Sequence, residues 1–278
     1  MATQLKTEII SADSRQFYQE LNIGTAKPSL EEMKGIKHYF IDSHHVTNHL
    51  SSAVFAKESE EVLNEIFKSN DLAILVGGSG MYIDALCDGI DDIPIDIEIK
   101  NNLQKELEIK GLDFLIAELM VKDPVFSEQI DKKNPMRVIR ALEVIRLTGK
   151  PYSALRKAEK KIKPYEIKRF VIDHPRDKLY QRIDKRVIQM MEAGLLEEVK
   201  GLKQISHLPA LHTVGYKELF AYLEKQISLE DAVQLIQKNT RNYAKRQLTW
   251  FRRHDDAVWI PHDDNKIMIN KIRTILGT

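Results

Sequence analysis

The sequence predicts an α/β fold, a parallel sheet covered by helices and interrupted by an all-helical insertion. Three observations carry this. Short apolar runs ending in polar or glycine-rich turns alternate with helical periodicity in the first part of the chain and return in the last. One run, Leu72-Ala-Ile-Leu-Val76, is continuous and bounded by Gly77-Gly78, the pattern of a strand buried on both faces. From about Ile95 to Lys161 the periodicity is helical only.

In order along the chain, Glu8-Ile-Ile-Ser-Ala-Asp13 predicts a buried strand closed by a polar turn. Ser29–Gly35 predicts a short helix and His38-Tyr-Phe-Ile41 a second strand. Val54, Phe55, Val62, Leu63, Ile66 and Phe67 recur at helical spacing and place a helix over Ser51–Lys68. Leu72–Val76 is the third strand, and Met81–Leu86 opens the next helix. The insertion reads as helices at Ile97–Ile109, Leu112–Val121, Pro124–Ile130 and Pro135–Thr148, the last stopped by Gly149-Lys150-Pro151. Lys168–Asp173 returns the chain to the sheet. Helices over Lys178–Met191, Leu195–Lys203, Tyr216–Leu223 and Leu229–Phe251 precede a final strand at Ala257–Ile260. The expected domains are an α/β core of residues 1–94 and 166–278 and a helical insertion of residues 95–165.

Composition narrows the function classes. The 278 residues carry 42 Lys+Arg against 41 Asp+Glu and are 43% hydrophobic, as in a soluble globular protein. No apolar run approaches the roughly 20 residues of a membrane helix. Met1–Lys6 has neither the apolar core of a secretory signal nor an Arg-rich amphipathic stretch. The single Cys87 excludes an internal disulfide and a Cys-rich zinc site, and with the N-terminus it predicts a cytoplasmic location. With no apolar zipper, a monomer is expected. The charge is segregated: six acids and no base over 84–98 (Asp84, Asp88, Asp91, Asp92, Asp96, Glu98), and six bases and no acid over 238–253. Residues 156–169 hold seven bases, among them Lys157 and Lys160, against two acids. Such runs are either solvated faces or the footprint of a polyanion.

Asp13 falls at the carboxyl edge of the sheet, where open α/β folds bind ligands. A carboxylate there is either a general base or a turn-capping residue. Val76-Gly-Gly-Ser-Gly80 lets a backbone approach an anion closely, yet it matches neither common phosphate-binding glycine pattern. Arg182 and Arg186 share one helix face and suit a diphosphate, although Asp177, Asp184 and Glu192 allow a surface ion-pair lattice instead. Arg137, Arg140, Glu143 and Arg146 carry the same two readings. In Thr240–Arg253, Arg241, Lys245 and Arg252 lie on one side, with Tyr243, Trp250 and Phe251 interleaved; the aromatics are expected to be mainly core and the bases to face RNA. His38, His44, His45 and His49 lack metal-ligand spacing and read as loop residues.

Six segments, in order, resemble the tRNA dimethylallyltransferases, the tRNA isopentenyltransferases: Glu8–Tyr18, Asn22–Pro28, Leu75–Tyr82, Arg137–Val144, Val214–Glu218 and Thr240–Trp250. The resemblance spans about Thr7 to Trp259. It implies a P-loop-kinase-like α/β core with a helical insertion, and transfer of a dimethylallyl group from dimethylallyl diphosphate to N6 of the adenosine 3′ of the tRNA anticodon (adenosine 37). By the same resemblance Asp13 is the general base, and Arg186, favoured over Arg182, stabilises the leaving diphosphate. The anticodon stem-loop would be met by Asp13, Ser14, Arg15, Gln16, Ser79, Met136, Arg137, Val138, Ile139, Arg140, Lys245, Arg246, Gln247, Trp250 and Arg252. Mg²⁺ is implied with the diphosphate, and no metal-ligating residues are assigned.

The family pattern opens with a strand, a P-loop of the form G-x-T-x-x-G-K-[ST] and a helix ahead of the segment matching Glu8. Here six residues precede Thr7. The resemblance therefore predicts weak donor binding, lowered stability, and unpaired sheet edges near Glu8–Asp13 and Leu72–Val76. The alternative implied is a non-catalytic tRNA-binding remnant. A P-loop small-molecule kinase is disfavoured by the absent lysine.

Overall fold

The computed structural model describes residues 1–48, 50–91, 93–156 and 161–278; His49, Asp92, Lys157 and Lys160, named in the runs above, lie outside the described residues. The chain forms two compact units, Met1–Cys87 with Lys163–Thr278, and Asp88–Ile162.

The first unit begins with a single helical turn, α1 (Ala2–Leu5), then β1 (Ile9–Ser11), α2 (Leu30–Met33), β2 (His38–Tyr39), α3 (Ser52–Ile66), β3 (Ile74–Val76) and α4 (Gly80–Cys87). Side-chain capping sets the helix starts. Ser29 and Glu32 form a reciprocal capping box on α2, and the Ser51 hydroxyl accepts the Val54 amide on α3. The three strands are parallel in the order β2-β1-β3. Beneath them Ile10, Phe17, Phe40, Phe55, Leu63 and Ile66 form a closed core. Phe17 stacks on Phe55 at 5.4 Å, and Phe40 and Tyr82 meet the pair edge-on or tilted.

The second unit is helical: α5 (Ile97–Lys110), α6 (Leu112–Lys122), α7 (Pro124–Gln129), α8 (Pro135–Thr148) and α9 (Tyr152–Leu155). Leu103, Leu115, Leu119, Val138, Ile139 and Leu142 fill its core. Gly149 closes α8 at φ 69°, a left-handed conformation that glycine adopts without a Cβ penalty. Two buried carboxylates tie the ends of this unit together. Asp123 accepts the Phe126 and Ser153 amides and the Ser153 hydroxyl, and Glu143 accepts the Asp96 amide.

The chain returns to the first unit through β4 (Arg169–Asp173), α10 (Arg176–Glu192), α11 (Leu195–Gly201), α12 (Tyr216–Leu223), α13 (Leu229–Phe251), β5 (Ala257–Pro261) and α14 (Asn265–Leu276). Val187, Leu195, Val199, Tyr216, Leu219, Ala232 and Ile236 join α10–α13 in a second core of this unit. No helix among the described residues is long and apolar enough to cross a membrane.

The structure has the α/β class with a helical insertion and departs from expectation in four places. Lys168–Asp173 does not rejoin the first sheet: β4 pairs with β5 alone, parallel over five residues, as a second sheet. Leu72–Val76 is not buried on both faces, because β3 ends the three-stranded ladder and leaves Val76 52% exposed. Glu8–Asp13 has no open edge, since β1 is hydrogen-bonded on both sides. Helix α14 was not anticipated, although Asp264 caps it and Met268, Ile272 and Ile275 follow at helical spacing. The unit boundaries also lie a few residues from those expected. Tyr165 packs on Phe67 in the first unit, and Arg140 holds the Ile93 and Pro94 carbonyls within the second.

Candidate functional site

Asp13 lies just beyond β1, at the carboxyl end of the three-stranded sheet. Its Oδ1 accepts the amide of Arg15 at 2.9 Å and that of Gln16 at 3.4 Å, so the carboxylate both caps the turn and is aimed by it. Among the described residues Oδ2 makes no hydrogen bond. Arg186, on α10, feels the Asp13 charge without a direct ion pair. Burial pushes the Arg186 guanidinium below its ordinary pKa, the Asp13 charge opposes that shift, and Arg182 adds to it. A carboxylate with one free oxygen and a charged guanidinium thus share the rim of the sheet.

The glycine-rich turn has a packing reason. A Cβ on Gly77 would sit 2.4 Å from the Ala12 backbone, and one on Gly80 would sit 2.3 Å from Trp250 Cδ1. These glycines let β3 approach β1 and let α13 approach α4. Gln247 on α13 donates to the Gly78 carbonyl at 2.9 Å, and Trp250 Nε1 donates to Asp84 at 2.8 Å. Ser79 is buried, accepts the Ser14 amide at 2.9 Å and donates to the Ser14 hydroxyl at 3.0 Å. Asp13, Ser14, Ser79, Gln247 and Trp250 therefore belong to one hydrogen-bonded corner. Arg15 is half-buried beside Tyr82, whose hydroxyl is pushed up to about 12, mainly by burial.

A cavity of about 1070 Å³ is walled by Asn22, Ile23, Ala26, Lys27, Asp42 and the α10 residues Arg182, Lys185 and Arg186, with His174 before that helix. The ion-pair lattice considered for α10 is not formed. Asp184 is taken by Arg241 of α13, and Arg182 turns instead to His174 and His262, each at 3.3 Å. Lys27 is spent internally on the Tyr18 carbonyl, Asn22 and Asp42, so Arg182, Lys185 and Arg186 supply the wall's available positive charge.

Several residues expected at the RNA or the diphosphate are buried or paired within the chain. Val138 and Ile139 are 0% exposed and belong to the core of the second unit. Arg140 is committed to the Ile93 and Pro94 carbonyls and to Glu143 at 3.0 Å. Arg146 bridges Glu106 and Glu118. Gln16 is used internally, its amide donating to the Thr25 and Ala26 carbonyls. Arg241 is held by Asp184, whereas Tyr243, expected in the core, is 41% exposed. Met136 and Arg137 are exposed on the first turn of α8. Lys245, Arg246 and Arg252 are exposed on α13 and its end, joined by Arg253, which lies 3.8 Å over the Trp250 ring. Of the 156–169 run, Lys163, Lys168 and Arg169 pair with Glu60, Glu166 and Asp256.

Sequence reasoning missed Glu198, which organises the cavity wall. Its carboxylate accepts the amides of Asn22, Ile23 and Gly24 at 3.3, 2.8 and 3.2 Å and the Tyr216 hydroxyl at 2.6 Å. The amide contacts span more than 170 residues of chain, so no local pattern announces them. His174 and His262 were also missed; the only signal available was that each directly follows a strand.

A sequence model of the IPP transferase family matches residues 16–254. "tRNA dimethylallyltransferase 1" of Bacteroides thetaiotaomicron is 43% identical over 270 residues, covering 96% of this chain and 88% of that protein. A protein of the same name from Bacteroides fragilis is 42% identical over 98% of this chain and 91% of its own length. Among solved structures, the full-length tRNA isopentenylpyrophosphate transferase of Bacillus halodurans superposes with a TM-score of 0.72 at 36% identity, over 99% of this chain and 89% of that one. A family match from the Asp13 turn to the end of α13, together with relatives above 40% identity along nearly the full chain, places it: the chain belongs to the IPP transferase family.

Proposed function

We propose that this chain transfers a dimethylallyl group from dimethylallyl diphosphate to N6 of adenosine 37 in tRNA, acting as a monomer. The relatives' shared name supports the reaction class. The observation that carries the assignment of roles is that the Arg186 guanidinium, on the wall of a cavity whose available charge is basic, feels the charge of Asp13 at the sheet rim. As N6 attacks the allylic carbon, a C–N bond forms and the C–O bond to the diphosphate breaks. The free oxygen of Asp13 takes the amine proton, and its other oxygen, fixed by two amides, keeps the carboxylate aimed. Arg186 and Arg182 receive the charge that develops on the departing diphosphate, which forked guanidinium donors match. The exposed bases at the end of α13 and the exposed first turn of α8 meet the tRNA backbone.

A Mg²⁺ ion takes oxygen ligands, and since Asp42 is held by Lys27 and Glu32 by its capping box, the free Oδ2 of Asp13, water and the diphosphate oxygens themselves would hold it. No step is assigned to it. The test is transfer from labelled dimethylallyl diphosphate to tRNA by the purified chain. Asp13→Asn is expected to lower turnover about 10²–10⁴-fold while tRNA binding persists. Unchanged turnover removes Asp13 as the base; tRNA binding with no transfer by the native chain favours the non-catalytic reading.

A further inference from the structure

The parallel strands β4 and β5 end side by side at Asp173 and Pro261, and the next residue of each is a histidine. The His174 and His262 rings stack with centroids 4.0 Å apart and planes 28° from parallel. The His262 amide donates to the Asp173 carbonyl at 2.7 Å, which fixes the two strand ends together. Arg182 brings Nη1 to 3.3 Å from Nε2 of both rings. A guanidinium can only donate, so both Nε2 atoms act as acceptors and both rings are neutral, with their protons on Nδ1. His174 and Arg182 line the same cavity as Arg186.

We propose that His174 and His262 are positioning residues for diphosphate binding: as neutral, stacked acceptors they hold the Arg182 guanidinium on the cavity wall, and protonation of either ring releases it. This rests on the transferase reading above, which supplies the diphosphate. A proton at Nε2 turns the acceptor into a donor and sets a second positive charge against the guanidinium. The charged groups around His174 come from Asp173 on β4, Arg182 on α10 and His262 after β5, with Lys185 and Arg186 farther along the wall. Of these only Asp173 favours the protonated ring. Burial, then His262 and Arg182, hold the His174 pKa below its ordinary 6.5, so the neutral arrangement is the resting one.

Two measurements on the full chain test this. The first, nuclear magnetic resonance of the imidazole nitrogens, needs no substrate. Both rings are expected as Nδ1–H tautomers, and Arg182→Ala should raise the titration midpoint of His174. A His174 midpoint indifferent to Arg182→Ala overturns the proposal. The second measures KM for dimethylallyl diphosphate and calorimetric affinity for inorganic diphosphate. At about pH 8, His174→Ala and His262→Ala should weaken both about 3–10-fold, as expected for one lost hydrogen bond. His174→Gln and His262→Gln, whose amide oxygen still accepts from Arg182 but cannot charge, should restore binding to within about twofold. They should also lack the extra weakening that the native chain is expected to show as pH falls and His174 takes up a proton. Alanine variants that bind like the native chain, or glutamine variants that follow its acid limb, overturn the proposal. A chain that shows these dependences but forms no prenylated tRNA instead refutes the transferase reading alone.

Discussion

Gly77 and Glu198 act at the scale of single residues, each through backbone that only the folded chain brings near. A methyl group at position 77 would overlap the Ala12 backbone, and backbone cannot step aside as a flexible side chain can. Gly77→Ala is expected to cost about 1–3 kcal/mol in denaturant melts and to displace Asp13, the residue next to the clash. Glu198→Ala leaves three amides and the Tyr216 hydroxyl without their acceptor. A loss of at least about 2 kcal/mol is expected, with raised proteolysis of the 22–27 segment as the local readout. Tyr216 carries the electrostatic imprint of the same contact: burial first, then the Glu198 carboxylate, keep its phenol well above the ordinary tyrosine range.

Helix α13 has a divided role along its length. Its start is fixed by a Ser228–Asp231 capping box and its first half buries Ala232 and Ile236. Farther along, Arg241 ties it to α10, and Gln247 and Trp250 seat its end against the glycine turn. The cations left exposed are Lys238, Lys245, Arg246, Arg252 and Arg253. Lys245→Ala and Arg252→Ala are each expected to weaken tRNA binding and to lower the slope of log K against log salt by about 1, whereas Arg241→Ala should cost stability and leave that slope intact. Equal slopes in all three variants would remove α13 as a phosphate-contacting element. The bases of this segment were legible in the sequence. Their division into structural and free was not, because it depends on which carboxylates α10 brings within reach.

At the scale of the whole molecule, the second unit carries its own acid sensitivity. Arg146 binds Glu106 and Glu118 at 2.6 Å each, and hydrogen bonds to that guanidinium are the largest cause holding both carboxyls below their ordinary 4.5. A folded-state pKa below the unfolded one gives stability that is complete above about 4.5 and is lost as pH falls through the lowered values. Urea melts from about pH 6 to about pH 3 should therefore show this unit losing stability steeply, and Glu106→Gln with Glu118→Gln should flatten that limb. An identical acid limb in the double variant would exclude the triad as its cause.

What the sequence determined by itself was local. Apolar period, capping residues and turn glycines placed α8, α12 and α13 at the ends observed, and the order of segments carried the family. Asp13 was identifiable because a strand, a polar turn and a carboxylate are neighbours along the chain. The tertiary structure alone decided which strands pair, splitting the expected sheet into β2-β1-β3 and β4-β5. It also decided which polar groups are spent, turning Arg140, Arg146, Arg241 and Gln16 inward while leaving Arg186 within the field of the Asp13 charge. The physical reason is common to both. Strand pairing and charge pairing are satisfied by partners tens to hundreds of residues away, and a polar group at a given position looks the same in sequence whether it meets water, a ligand or a distant carbonyl.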